Sequence, residues 1–375
     1  MEIGMKKKKK RKKKIWIPIL SVLVILLVIV GGWYGIQIHS ARELLARVEE
    51  MSFEELIQEA LAGKKEARVT VGTIKDNQMA YEVYGNDGEI LDQTKYRYEI
   101  GSITKTMTAA LIARAIQEEK LSLTDTVDRY LKTPDGKIYP TIASLLTHTS
   151  GLDGYYFEWS MVPYLLHPQR NPFRGITGET VLQEYQRTKL KNGQEYGFEY
   201  SNYGFALLGL VLEKVYDTDY TSLLNEYLQD GLGMKDTYVS NGDADFDGNW
   251  IWESDDAYIP AGAVVSDITD MLLYADAQLR GDSVLTMCHQ ALKQINASDE
   301  WNRMGGFGID QIGMSWIIDA ENGIIWHNGA TGMHTSYLGF CPKKNTAVVV
   351  LSNLSQNEDI ETTTIGFRKL MEMIR

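Results

Sequence analysis

Strand-like segments at both ends of this chain enclose a long helical middle, and few architectures accommodate that order. Residues 67–74 and 79–84 alternate apolar and polar side chains. Asp76-Asn77 joins them, a pair suited to a tight hairpin. Strand patterns return at 308–318, 324–327, 335–340 and 346–351, and a helical pattern over 359–374 closes the chain. Between these ends lie helical patterns at 107–119, 141–147, 179–191, 201–216, 220–229 and 267–279, separated by long loops. Half-buried strands need partners. The predicted fold is therefore α+β, with one antiparallel sheet drawn from both chain ends and a largely helical insertion. A cleft between the two parts is the expected place for a site. A chain that is 44% hydrophobic and 23% charged can bury a core of that size.

The first forty residues have another character. Residues 6–14 are an unbroken run of Lys and Arg, followed by 22 uncharged residues, 15–36. A bilayer-spanning helix takes about 20. Basic flanks stay cytoplasmic, so the expectation is a single-pass cell-membrane anchor with the body outside. A cleaved signal peptide is the competing reading, but its apolar region would be shorter and would end at small residues. Gly31-Gly32-Trp33-Tyr34 fits an interfacial belt better. The predicted organisation is a basic tail (1–14), a transmembrane helix (15–36), a juxtamembrane helical linker (37–66) and the main domain (67–375). The helical pattern at 40–61, with a Ser52/Glu55 capping box, is either a stalk or the first helix of the domain.

Of 38 Lys/Arg and 50 Asp/Glu, residues 1–40 hold nine and one; that leaves 29 and 49 for the rest, a net of −20. So acidic a body is a poor nucleic-acid binder. The expected partner of the basic, apolar first part is the membrane. Cys288 and Cys341 have neither metal spacing nor enough company for a disulfide framework. Each reads as a small buried hydrophobe.

The chemistry starts at Gly101-Ser102-Ile103-Thr104-Lys105, between an alternating run and a helix. Three residues apart on a helix, Lys105 and Ser102 share a face. A helix N-terminus also favours negative charge. A serine hydroxyl needs such surroundings to act as a nucleophile. Ser-x-x-Lys alone is a weak signal, but two further triplets follow in order: Tyr200-Ser201-Asn202 ahead of an apolar helix, and His327-Asn328-Gly329 at the end of an apolar strand.

This ordered set resembles the serine penicillin-recognising superfamily of DD-peptidases, class C β-lactamases and related esterases. Residues 120–125, 145–152, 232–237 and 261–266 also read like landmarks of its class C and esterase-like branch, so the likeness runs from about Val69 to the end of the chain. It implies a β-lactamase/DD-peptidase-like fold and an acyl-enzyme at Ser102 formed from a small-molecule or peptide substrate, with no metal or cofactor in the chemistry. Lys105 would help to move the serine proton. Tyr200 would be general base in acylation and acid to the leaving group, its phenol lowered by neighbouring positive charge. Asn202 would bind the substrate amide and steady Lys105. The Ser102 and Ala330 N–H groups would form the oxyanion hole, worth ~3–4 kcal/mol per donor in comparable sites. Gly329 would let substrate approach the strand edge.

One position departs from the pattern. β-Lactamases and most penicillin-binding proteins carry Lys where this chain has His327. A neutral imidazole weakens an anchor for a substrate carboxylate, and protonation would restore it. The histidine form points to ester or D-amino-acid amide hydrolysis ahead of DD-carboxypeptidase or β-lactamase activity. A non-catalytic ectodomain that senses wall peptides or β-lactams is a rival from another class.

Two other features carry weaker signals. His148, in Thr147-His148-Thr149, reads as a structural turn beside the cleft. Asp243, Asp245 and Asp247, followed by Gly248, match the first half of a calcium loop, but position twelve is Ser254. An acidic surface loop is the plainer reading.

Overall fold

The structure is a computed structural model that describes residues 46–375, except 93, 166, 168, 241–247, 300, 301, 304 and 357–359. The expected transmembrane segment, 15–36, and the three candidate calcium ligands lie outside the described residues. Among the described residues no helix is long and apolar enough to cross a membrane, and no group of three or more His, Cys, Asp or Glu could hold a metal ion.

Residues 51–375 form one compact unit. It opens with α1 (Phe53–Leu61), which has the predicted capping box at Ser52 and Glu55. Phe53, Leu56, Ile57, Ala60 and Leu61 on α1 are buried. The Phe53 N–H donates to the Glu372 carboxylate near the other end of the chain (3.1 Å). The domain therefore starts before residue 67. Of the two readings of 40–61, first helix of the domain describes 53–61.

The hairpin of β1 (Val69–Lys75) and β2 (Gln78–Gly85) turns at Asp76 and Asn77, both with positive φ. β3 (Glu89–Leu91) continues that edge. β7 (Lys293–Gln294), β8 (Gln311–Ile312), β9 (Ile317–Asp319), β10 (Ile324–Ala330), β11 (Thr335–Cys341) and β12 (Thr346–Ser352) follow from the far end of the chain. The order is β3-β2-β1-β12-β11-β10-β9-β8-β7, every pair antiparallel. β1 lies against β12, Val71 opposite Val350, so one sheet is indeed built from both ends. β12 is buried along its whole length. Ala347, Val349 and Leu351 join the core shared with the helical part, while Ser352 bonds Thr362 of the C-terminal helix, Thr362–Ile374. Helices on both faces explain why this strand reads as a continuous apolar run rather than an alternation.

The helical part surrounds α2 (Thr104–Gln117), which is buried on all sides as far as Ala113. The Thr104 hydroxyl accepts the Val264 N–H (3.2 Å), and the Thr108 hydroxyl donates to the Pro260 carbonyl (2.7 Å). α5 (Asn202–Tyr216) packs against α2, and α3 (Ile142–Leu146) and α4 (Gly178–Glu184) pack against α5. The pattern expected to be helical through 191 stops early. There the Lys137 ammonium caps the carbonyls of Tyr185 and Thr188 (3.3 Å each), and the chain continues through a turn at Asn192-Gly193 toward residue 200. A small second sheet was not expected. Its strands β4 (Tyr98–Glu99), β5 (Tyr238–Val239) and β6 (Val264–Ser266) are only two or three residues long. Cys288 and Cys341 are free and buried, as expected.

Candidate active site

Ser102 sits in a short 3-10 turn, Gly101–Ile103, between β4 and α2. Two glycines bring this turn against the end of β10. A Cβ on Gly329 would lie 2.0 Å from the Ile100 oxygen and 2.8 Å from the Ser102 nitrogen. A Cβ on Gly101, which has positive φ, would lie 2.6 Å from the Ala330 nitrogen. Only bare backbone fits on either side. The contact thereby places the Ser102 and Ala330 main chains side by side.

Lys105 is one turn along α2, and its ammonium nitrogen is 2.9 Å from the Ser102 hydroxyl oxygen. It also donates to the Ala261 carbonyl (2.7 Å), which fills the steadying role expected of Asn202. The side chain is fully buried, and no carboxylate pairs with it among the described residues. Burial therefore drives the amine's pKa well below its usual range.

Tyr200 precedes Ser201, whose hydroxyl caps α5 by accepting the Gly204 N–H (3.0 Å). The Tyr200 ring lies 4.8 Å from the Lys105 nitrogen. Its hydroxyl hydrogen-bonds Ser102, which favours phenolate, but desolvation outweighs this and raises the phenol above its usual pKa. That is opposite to the lowering expected from neighbouring positive charge. The amine that would supply the charge is itself pushed toward neutrality.

His327 is buried, and its ring is 6.5 Å from that of Tyr200. Nδ1 donates to the Asn328 carbonyl (2.6 Å), which leaves the lone pair on Nε2. Burial and the nearby Lys105 hold the imidazole down to about 3, so it carries no charge at neutral pH. The protonated carboxylate anchor considered from the sequence is not available here. Asn328, Gly329 and Ala330 line the cleft, whereas the His327 side chain does not.

The cleft has a volume of about 420 Å³ and is also lined by Ser102, Tyr200 and Asn202. Its opposite wall is aromatic, with Phe173, Trp250, Trp252 and Tyr258; Phe173 stacks on Tyr258 at 4.5 Å. No charged side chain lines it among the described residues. Behind the site the buried Glu99 carboxylate accepts from the Trp250 N–H (2.7 Å) and the Thr331 hydroxyl (2.6 Å), and it meets His334 Nδ1 at 3.1 Å. One carboxylate thus ties β4 to both walls. The sequence reading missed this network, the aromatic wall and the Ala261 carbonyl. The only hint was the 261–266 landmark.

The structure thus brings Ser102, Lys105, Tyr200, Asn202, Gly329 and Ala330 to one cleft and sets His327 behind it. A serine paired with a desolvated amine, on this α+β frame, belongs to the class of serine hydrolases. The chain is a member of the Beta-lactamase family, whose model matches residues 53–367. Protein flp of Staphylococcus aureus (strain MW2) is 26% identical over 285 residues, 69% of this chain and 53% of flp. The chain spans about half the length of the curated relatives it matches. Among solved structures, an octameric penicillin-binding protein homologue from Pyrococcus abyssi shares the fold (TM-score 0.65, 23% identity, 85% of this chain and 77% of that one). So do a β-lactamase/D-alanine carboxypeptidase from Yersinia pestis (0.63, 20%, 86% and 99%) and a D-stereospecific amidohydrolase from Streptomyces sp. (0.60, 20%, 80% and 94%).

Proposed function

We propose that this protein is a membrane-anchored, extracytoplasmic serine hydrolase that cleaves an ester or a D-amino-acid-containing amide through an acyl-enzyme on Ser102. The observation that carries this is the buried Lys105 amine, 2.9 Å from the serine hydroxyl and without a counter-carboxylate among the described residues. In its neutral form the amine takes the serine proton as the oxygen bonds to the acyl carbon. The Ser102 and Ala330 N–H groups receive the oxyanion. When the bond to the leaving group breaks, Tyr200, protonated in the resting site, gives its proton to the departing oxygen or nitrogen and recovers one from Lys105. Water then releases the acid, with the proton transfers reversed. Asn202 is placed to bind a substrate amide.

The cleft supports a neutral acyl donor over a carboxylate-bearing one. Its described lining has no cation, and His327 is held neutral. Residues 15–36 and their basic flank support the anchor.

A fluorophosphonate is expected to label the body and Ser102→Ala to abolish the label; a label that survives the substitution overturns the assignment. Steady-state turnover is expected with p-nitrophenyl esters or D-amino-acid amides. Faster turnover of D-Ala-D-Ala peptides or nitrocefin would shift the reading to a carboxypeptidase or β-lactamase. A long-lived adduct without turnover would make the protein a sensor.

A further inference from the structure

We propose that His148 is a positioning residue that fixes where the Tyr200 phenol stands relative to Ser102 and Lys105. The proposal rests on the Ser102 reading above, but its observations are separate. His148 follows the Thr147 cap of α3 and lies in the left-handed region, φ +53°. Around it the Thr149 N–H reaches back to the Ser144 carbonyl (2.9 Å), the kind of helix end that usually places glycine at this position. A histidine held where glycine fits better points to a use for its side chain.

That side chain and its backbone grip the Tyr200 segment on both sides. The Glu199 N–H donates to the His148 carbonyl (2.8 Å), and the Ser201 N–H donates to His148 Nδ1 (3.0 Å). Between these bonds the imidazole lies against the Tyr200 ring, centroids 4.5 Å apart, with Phe205 at 5.2 Å from the same imidazole. Neighbouring residues add to the hold. The Ser201 hydroxyl donates to the Asp153 carbonyl (2.7 Å), and the Tyr203 N–H donates to the Gly154 carbonyl (3.0 Å). Residues 199–201 have no strand or helix partner of their own. Their main-chain bonds to His148 are what hold Tyr200 between the cleft and Lys105.

The same geometry rules His148 out as the base. Nδ1 is occupied as an acceptor, so the proton of the neutral ring sits on Nε2, which has no hydrogen-bond partner among the described residues. No lone pair remains for the serine. Burial, with Lys105 and His327 nearby, keeps the ring neutral.

His148→Asn and His148→Gly separate these roles, since both residues accept a positive φ. Asparagine keeps a short side-chain acceptor for the Ser201 N–H, and glycine does not. His148→Gly is expected to slow fluorophosphonate labelling of Ser102 by roughly 10–100-fold, the scale of a displaced catalytic group. In ester turnover kcat should fall while KM holds. His148→Asn should recover most of the rate. Wild-type labelling in His148→Gly overturns the proposal. So does an equal loss in both variants that tracks their melting temperatures. Crystal structures of the two variants read the phenol directly, displaced in one and restored in the other. An unmoved Tyr200 in His148→Gly sinks the idea even if wild-type protein takes no label, an outcome that would instead fell the Ser102 reading.

Discussion

Lys105 shows how one residue's surroundings decide its chemistry. An ammonium on a surface helix stays charged to high pH. Here the helix is buried on every side from Thr104 to Ala113, and among the described residues the amine meets a hydroxyl, a carbonyl and two aromatic rings but no carboxylate. The free-base form is thereby favoured. A depressed amine pKa means that the active form is absent at low pH and gained as pH rises. The acylation rate constant should climb with pH and level off well below 10.5, the ordinary value for lysine. Lys105→Arg keeps the charge but cannot deprotonate, and it should cost about 10²–10⁴-fold in acylation. Single-turnover rates across pH, in both forms, check this. A wild-type rate that rises only near pH 10.5, or an active arginine variant, would return the base role to Tyr200.

At the scale of elements, the site depends on where a strand and a turn meet. β10 and the Gly101–Ile103 turn touch through main chain at Gly101 and Gly329. Gly329→Ala places a methyl where the Ile100 carbonyl already is, so the strand end must move. The expected result is a folded protein with kcat/KM for p-nitrophenyl esters down by about 100-fold or more, since loss of one oxyanion donor alone costs that much. Near-wild-type activity would show that the close approach is unnecessary. Which of these meetings were legible follows from their physics. Ser102 and Lys105 are one helical turn apart, and helical spacing is written in sequence. The hairpin at Asp76-Asn77 was legible for the same local reason. The Ala261 carbonyl has no side-chain signature. Glu99, Trp250, Thr331 and His334 meet only through the tertiary fold. β4, β5 and β6 are too short to show a period, and the fully covered β12 shows no alternation. His148 was read as a turn, and that is what its backbone is; its ring's grip on residues 199–201 needed the third dimension.

For the molecule as a whole, charge and hydropathy divide the chain. Residues 1–40 are basic and apolar, and the rest is strongly acidic. We propose that the first part is an uncleaved anchor. The full chain should then stay with membranes through an alkaline carbonate wash, while a chain beginning at residue 51 should be released. Release of the full chain, or its recovery trimmed near residue 36, would overturn the anchor. The acidic body is suited to repel anionic substrates at a distance, in keeping with a cleft whose described lining has no cation.

The pairing of β1 with β12 and the bond from Phe53 to Glu372 bring the beginning and the end of the hydrolase body together. A short peptide bridging them, with new ends opened at the exposed turn near Gly193, should leave the reactive cleft unbroken. Extra chain attached at either end would likewise emerge from one neighbourhood. A body built this way can be lengthened at either end without threading new sequence past the serine.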